Sequence, residues 1–223
     1  MIKRYWRFVL FAAVMLFFCS ENSVKRGYQS LNLGDYDMAI GFFNEELHRN
    51  PGDFGARVGL GKALLQKSYA TEQDTTLWHQ ALIQLQAARS IENRDYLNTL
   101  LRDAWIIYGR KKLAAEDTMA ALTAMTFALD YDPASAEALN LSGILFSSFG
   151  LTQKAESLFV AGSNNSKSSR ELQFNLGILY FYRQQYGDAL RIWKSASLYD
   201  SSDIELKQWI ALAEKKNDGK QAP

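Results

Sequence analysis

The stretch LGILYFYRQQYGDALRIW, residues 176–193, decides how the chain is read. Gly177 is followed without a break by Ile178, Leu179, Tyr180, Phe181 and Tyr182. Such a run has three readings: a buried strand, an aromatic box for a cofactor, or one side of a helix. The run alone does not choose among them, because a short apolar segment suits a strand and a helix equally well. The spacing from its glycine to the rest of the chain does choose.

Gly109, Gly143 and Gly177 stand 34 residues apart, and so do Gly27 and Gly61. Twelve residues after four of these glycines come Ala39, Ala121, Ala155 and Ala189, and four residues after each alanine comes Phe43, Met125, Phe159 or Trp193. A small residue lets two helices approach closely, and a large apolar residue one turn later fills the space beside them. Pro51 and Pro133 stand where the second helix must stop, since proline cannot continue a helix and restricts the residue before it. In the third copy WIIYG, residues 105–109, supplies the aromatic and apolar residues ahead of the glycine. In the fifth, Leu176, Gly177, Tyr180, Tyr186 and Ala189 share the pattern. This spacing and residue set resemble the tetratricopeptide repeat, whose period is 34 residues. The resemblance covers approximately residues 20–203. It implies an all-α fold, an α-α superhelix or solenoid of five helix-turn-helix repeats at 20–53, 54–95, 102–135, 136–169 and 170–203. The strand reading then fails, because the glycine, alanine and tryptophan offsets demand two helices. The cofactor-box reading is weak for the same reason, since an aromatic stripe at helical spacing is ordinarily core.

Gly61 to Gly109 is 48 residues, fourteen more than one period. Ala81 takes the small-residue place of the second copy, which puts eight extra residues around KSYATEQDTTLW (67–78) and six more around NRDYLNTL (93–100). The first insertion lies between paired helices, where a loop lengthens at modest entropic cost; it forms a protrusion or extends both helices by a turn. After Asp203, IELKQWIALAEKK places Ile204, Leu206, Trp209, Ile210 and Ala213 mostly on one helical face. A helix over 204–216 is expected to cap the exposed end of the array, followed by a disordered tail at 217–223.

The N-terminus follows another rule. MIKRYWR carries Lys3, Arg4 and Arg7, and Phe8 to Phe18 contains no polar side chain before Cys19, the single cysteine. A basic start and a short apolar run match an export signal, and the run is short for a membrane span of roughly 17–25 residues. LFFCS resembles the lipobox of bacterial lipoproteins, with Leu16 three places before Cys19 and bulky Phe18 where a small residue is usual. The resemblance implies a leader over 1–19 and lipidation of Cys19. An uncleaved signal anchor is the alternative. One cysteine excludes an intramolecular disulfide framework.

Twenty-five Lys and Arg against twenty-four Asp and Glu give a net charge of +1, which offers no basic face for a nucleic acid. His48 and His79 each lack a second histidine or a cysteine at metal-ligand spacing, and no nucleophile–base pair, carboxylate pair or glycine-rich phosphate loop is apparent. No metal, cofactor or small-molecule substrate is expected, and no enzymatic activity. In the repeat family the first helices line a concave groove that receives peptides or helices of partner proteins. Carried over by offset, that groove comprises Tyr28, Asn32, Lys62, Gln66, Arg110, Asn140, Ile144, Phe174, Ile178, Phe181 and Tyr182. Several apolar members of this set have the alternative of packing on neighbouring repeats. The chaperone-tail clamp of one subgroup is not reproduced, since Val24 and Tyr28 occupy its first places. The expectation is a membrane-anchored scaffold of the bacterial cell envelope, binding a protein partner during assembly of an envelope complex. The alternative is a signal-anchored subunit of an inner-membrane transport or peptidoglycan-synthesis complex.

Overall fold

Side-chain caps set where the helices of this chain begin. Asp35, Asp53, Asp117, Ser135 and Asp203 each accept a hydrogen bond from the backbone N–H three residues on, satisfying a donor that the helix leaves unpaired. The computed structural model describes residues 23–71, 75–163, 170–198 and 202–221. Its helices are α1 (23–32), α2 (Tyr36–Arg49), α3 (Phe54–Ala70), α4 (Thr75–Ile91), α5 (Asp95–Ala114) and α6 (Thr118–Tyr131). They continue as α7 (Ala136–Ser148), α8 (Thr152–Ser163), α9 (Arg170–Tyr182), α10 (Tyr186–Ser197) and α11 (Ile204–Gln221). Among the described residues there is no strand. Residues 176–193 are the end of α9, a tight turn and the start of α10.

The chain forms two compact units, and the division falls inside α5, between Leu101 and Arg102. In both, paired helices lock by the same contact. A Cβ on Gly27 would lie 2.6 Å from the Phe43 ring, and one on Gly61 would lie 2.6 Å from Leu85. At Gly109, Gly143 and Gly177 it would collide with Met125, Phe159 and Trp193. Each large residue belongs to the second helix of its pair, and Phe43 and Trp193 are completely buried. Leu85 shows that the second pair keeps this contact despite its insertion.

The turn between paired helices also repeats. Gly34, Glu116, Gly150 and Gln184 stand seven residues after their hairpin glycines, with φ of 78°, 61°, 74° and 61°. The second pair has no such turn at this offset, because α3 runs through it to Ala70. Of the insertion near 67–78, residues 67–70 and 75–78 are helix: α3 and α4 have 17 residues each, against 13 and 12 in α7 and α8.

The six extra residues near 93–100 are likewise not a connecting loop. They lengthen α5 to 20 residues at its N-terminal end, so the helix begins ahead of the expected boundary at 102. Leu97 and Leu101, one turn apart and both completely buried, give that extension an apolar edge of its own. The expected tail at 217–223 is corrected in part, since α11 continues to Gln221. Gly219 alone costs only about 1 kcal/mol relative to alanine, and no proline intervenes. In the second unit α11 joins the core through Leu206 and Ala213, beside Leu176, Trp193 and Ala196.

Candidate functional site

The expected groove residues of the first unit lie on α1 and α3. Tyr28 is a strut between them: its hydroxyl donates to the Gly55 carbonyl at 3.0 Å, and its ring meets Phe43 edge-on at 5.1 Å. Burial pushes its phenol up to about 12, with Tyr96 and Asp53 adding to the effect. The lengthened start of α5, and Arg94 just ahead of it, lean on α3. The Lys62 ammonium stands 5.7 Å from the Tyr96 ring centre, and the Arg94 guanidinium stands 5.0 Å from that of Phe54. Lys62 therefore meets another part of the same unit, whereas Asn32 and Gln66 are exposed.

In the second unit, α7 and α9 are the first helices of successive pairs and pack side by side. The Asn175 amide donates to Asn140 Oδ1 at 2.8 Å across them. Beyond that pair opens a cleft of about 520 Å³, lined in part by Ile144, Ser147, Ile178, Tyr182 and Arg183. Ile144 is 40% exposed and Tyr182 73% exposed. Arg110, on α5, is held by Glu137 of α7.

Phe174 and Phe181 are placed differently from their expected role as open groove anchors. Trp209 of α11 meets both edge-on, at 6.5 Å and 5.3 Å, and Phe181 also lies 6.1 Å from Trp193. The physical reason is the terminal helix: it lies where a following repeat would place its first helix, and its tryptophan is drawn onto the aromatic face of α9. Leu176 and Tyr180 point into the helix pair, and the Tyr180 hydroxyl donates to Glu156 at 2.9 Å.

Thr152 and Arg183 line the cleft but lie outside the offsets that pick the groove, because they belong to the turn ends of their helices. Asn175 stands one place out of the register that picks Asn140, so their amide pair is visible only in three dimensions.

His48 and His79 are both exposed, and His79 packs edge-on against Trp78 at 4.9 Å. Among the described residues no group of His, Cys, Asp and Glu has the arrangement of a metal site. None of the described helices is long and apolar enough to cross a membrane. Cys19 and the rest of the leader lie outside the described residues.

A family model for the tetratricopeptide repeat matches residues 109–166, which include the α5–α6 and α7–α8 pairs from Gly109 onward. No curated protein matches the chain. Among solved structures the fold is similar to that of MamA, at 19% identity over 82% of this chain and 92% of that one, with a TM-score of 0.51. A tetratricopeptide repeat protein from Parabacteroides merdae aligns at 19% identity over 89% of this chain and 73% of that one, with a TM-score of 0.54. YrrB, described as a repeat protein with an unusual peptide-binding site, aligns at 16% identity over 86% and 90%, with a TM-score of 0.51. At these identities the likeness speaks for the fold alone. The hairpin contacts, the repeating turns and the match over residues 109–166 lead to one conclusion: the chain has the fold of the tetratricopeptide repeat.

Proposed function

We propose that this chain is a non-catalytic, membrane-anchored scaffold that holds a segment of a partner protein against the α7–α9 face during assembly of a cell-envelope complex. The observation that carries the binding site is the cleft whose apolar lining, Ile144, Ile178 and Tyr182, is presented by two adjacent helices. A concave, largely apolar surface with a few convergent polar groups is the usual form of a recognition site. Tyr182 supplies the amphipathic ring that often anchors an interface.

The anchor rests on the sequence of residues 1–19, where Lys3, Arg4 and Arg7 precede the apolar run ending at Cys19. Lipidation of Cys19 with more than one acyl chain gives stable attachment, whereas one chain is marginal. Phe18, bulky where the lipobox has a small residue, favours a second reading in which the leader stays on as a signal anchor in the inner membrane.

Two variants of the full-length chain test these parts separately. Ile178→Asp is expected to remove partners from material purified out of detergent-solubilised membranes while helicity is kept. An unchanged partner profile would refute the α7–α9 site. Cys19→Ala is expected to release the protein from membranes or to leave a longer precursor. Unchanged mass and fractionation would discard lipidation.

A further inference from the structure

The α7–α9 cleft adjoins a second, of about 560 Å³, lined by Gly150, Leu151, Thr152, Gln153, Lys154, Ser157 and Arg183. Thr152 and Arg183 belong to both linings. The first cleft is floored by aliphatic and aromatic side chains; the second is the more polar of the two and carries two cations. Neither lining contains a carboxylate among the described residues.

The state of those cations is decisive. Arg183 pairs through Nη1 with Glu156, whose other oxygen accepts the Tyr180 hydroxyl at 2.9 Å. Held from two sides, Glu156 fixes the guanidinium at the junction of the clefts. A guanidinium has five N–H donors in a planar fork, so one such contact leaves others for an incoming carboxylate. Lys154 lies over the Phe146 ring at 4.6 Å and has no ion pair among the described residues. Two cations thus face a single carboxylate that is already engaged. Arg110, paired with Glu137, and Lys62, near Tyr96, line neither cleft.

We infer that the two clefts form one recognition surface for an extended segment of a partner protein in which an aliphatic or aromatic residue is followed, within a few positions, by Asp or Glu. The apolar side chain enters between Ile144, Ile178 and Tyr182, and the carboxylate reaches Arg183 and Lys154. This inference rests on the α7–α9 face being the working face, and its test keeps the two ideas apart.

The experiment uses the full-length protein in detergent on an array of immobilised nonapeptides with each position varied in turn. The expected result is selection of Leu, Ile or Phe followed by Asp or Glu, lost progressively between low and moderate salt. Lys154→Gln and Arg183→Gln are each expected to weaken acidic peptides about 3- to 10-fold while their amide counterparts bind as before. Lys154→Gln guards against a local effect of breaking the Glu156 pair, because Lys154 lies over the face of the half-buried Phe146 ring and takes no part in that pair. Peptide binding that is abolished by Ile178→Asp but shows no acidic preference would overturn this inference and leave the docking face standing. An acidic preference unchanged in both cation variants would overturn it too. Absence of any binding sensitive to Ile178→Asp would overturn both.

Discussion

Replacing Glu46 with glutamine is expected to stabilise the first unit at neutral pH and to leave it unchanged in acid. Glu46 is 2% exposed, and its Oε2 has no hydrogen-bond donor among the described residues. It stands seven residues after Ala39; at the same offset the other pairs carry Ala88, Ala128, Gly162 and Ala196. A carboxylate thus fills a place that elsewhere belongs to a small residue. Burial raises the Glu46 carboxyl above its ordinary 4.5, Asp53 and Glu45 push it the same way, and Arg49 opposes them. Arg49 is itself committed to Glu45 and to the Ser23 hydroxyl, which limits what it offers.

The sign follows directly. A carboxyl whose pKa is higher in the folded state binds its proton more tightly there, so its stabilising effect is fully present below about 4.5. It is lost as pH rises through the folded value. A buried polar group without a partner costs about 1–3 kcal/mol. Glutamine keeps the methylenes and removes the charge while retaining an amide to satisfy, so a gain of about 1 kcal/mol at pH 7 is expected. Because a terminal repeat opens ahead of the rest, the assay is amide exchange over α1 to α3 at pH 7, with urea unfolding at pH 4.5 and 7 beside it. Slower exchange in Glu46→Gln and a flattened pH dependence are predicted. Equal or faster exchange at pH 7 would mean that the carboxylate has a donor, and the reasoning would fail.

Gly177→Ala drives a methyl into Trp193, which is completely buried and donates to the Phe174 carbonyl at 3.1 Å; a net loss of about 1–2 kcal/mol is expected in urea unfolding, after the gain in helix propensity. Gln184→Gly relieves a left-handed turn residue that lacks a glycine, as Gly34 and Gly150 do not, and a gain of up to about 1 kcal/mol is expected. Phe181→Ala, under Trp209 and beside Trp193, is expected to lower stability by about 2–3 kcal/mol. Tyr182→Ala changes stability by about 0.5 kcal/mol or less, so only the second variant reports cleanly on partner binding.

The paired-helix fold was legible because its two signals are local in kind. A glycine and a large residue sixteen positions later must meet, and the chain repeats that demand at one period. Ala81 and Leu85 even carry it through the insertion. The form of the added residues was not legible, since length alone does not distinguish a loop from another turn of helix. Leu97 and Leu101 decide it for α5 by burial, which depends on what packs against them.

The groove shows the same limit. Offsets place a residue on a side of a helix, and they place Phe174 and Phe181 on the side expected. They do not say that Trp209 will cover both, nor that the lengthened α5 will bring Tyr96 to Lys62. Arg183 and Thr152 escape for a different reason, because turn ends vary in composition from repeat to repeat while hairpin contacts do not.

The most direct test of the central claim places a photo-reactive benzoylphenylalanine, one position at a time, in the full-length chain in native membranes. Positions 144 and 182 lie on the α7–α9 cleft, and exposed Ile83 and Met119 serve as comparison sites on α4 and α6. The account predicts discrete adducts to another protein from 144 and 182, and none from 83 or 119. Adducts confined to 83 and 119, or no adduct from either cleft position, would contradict it.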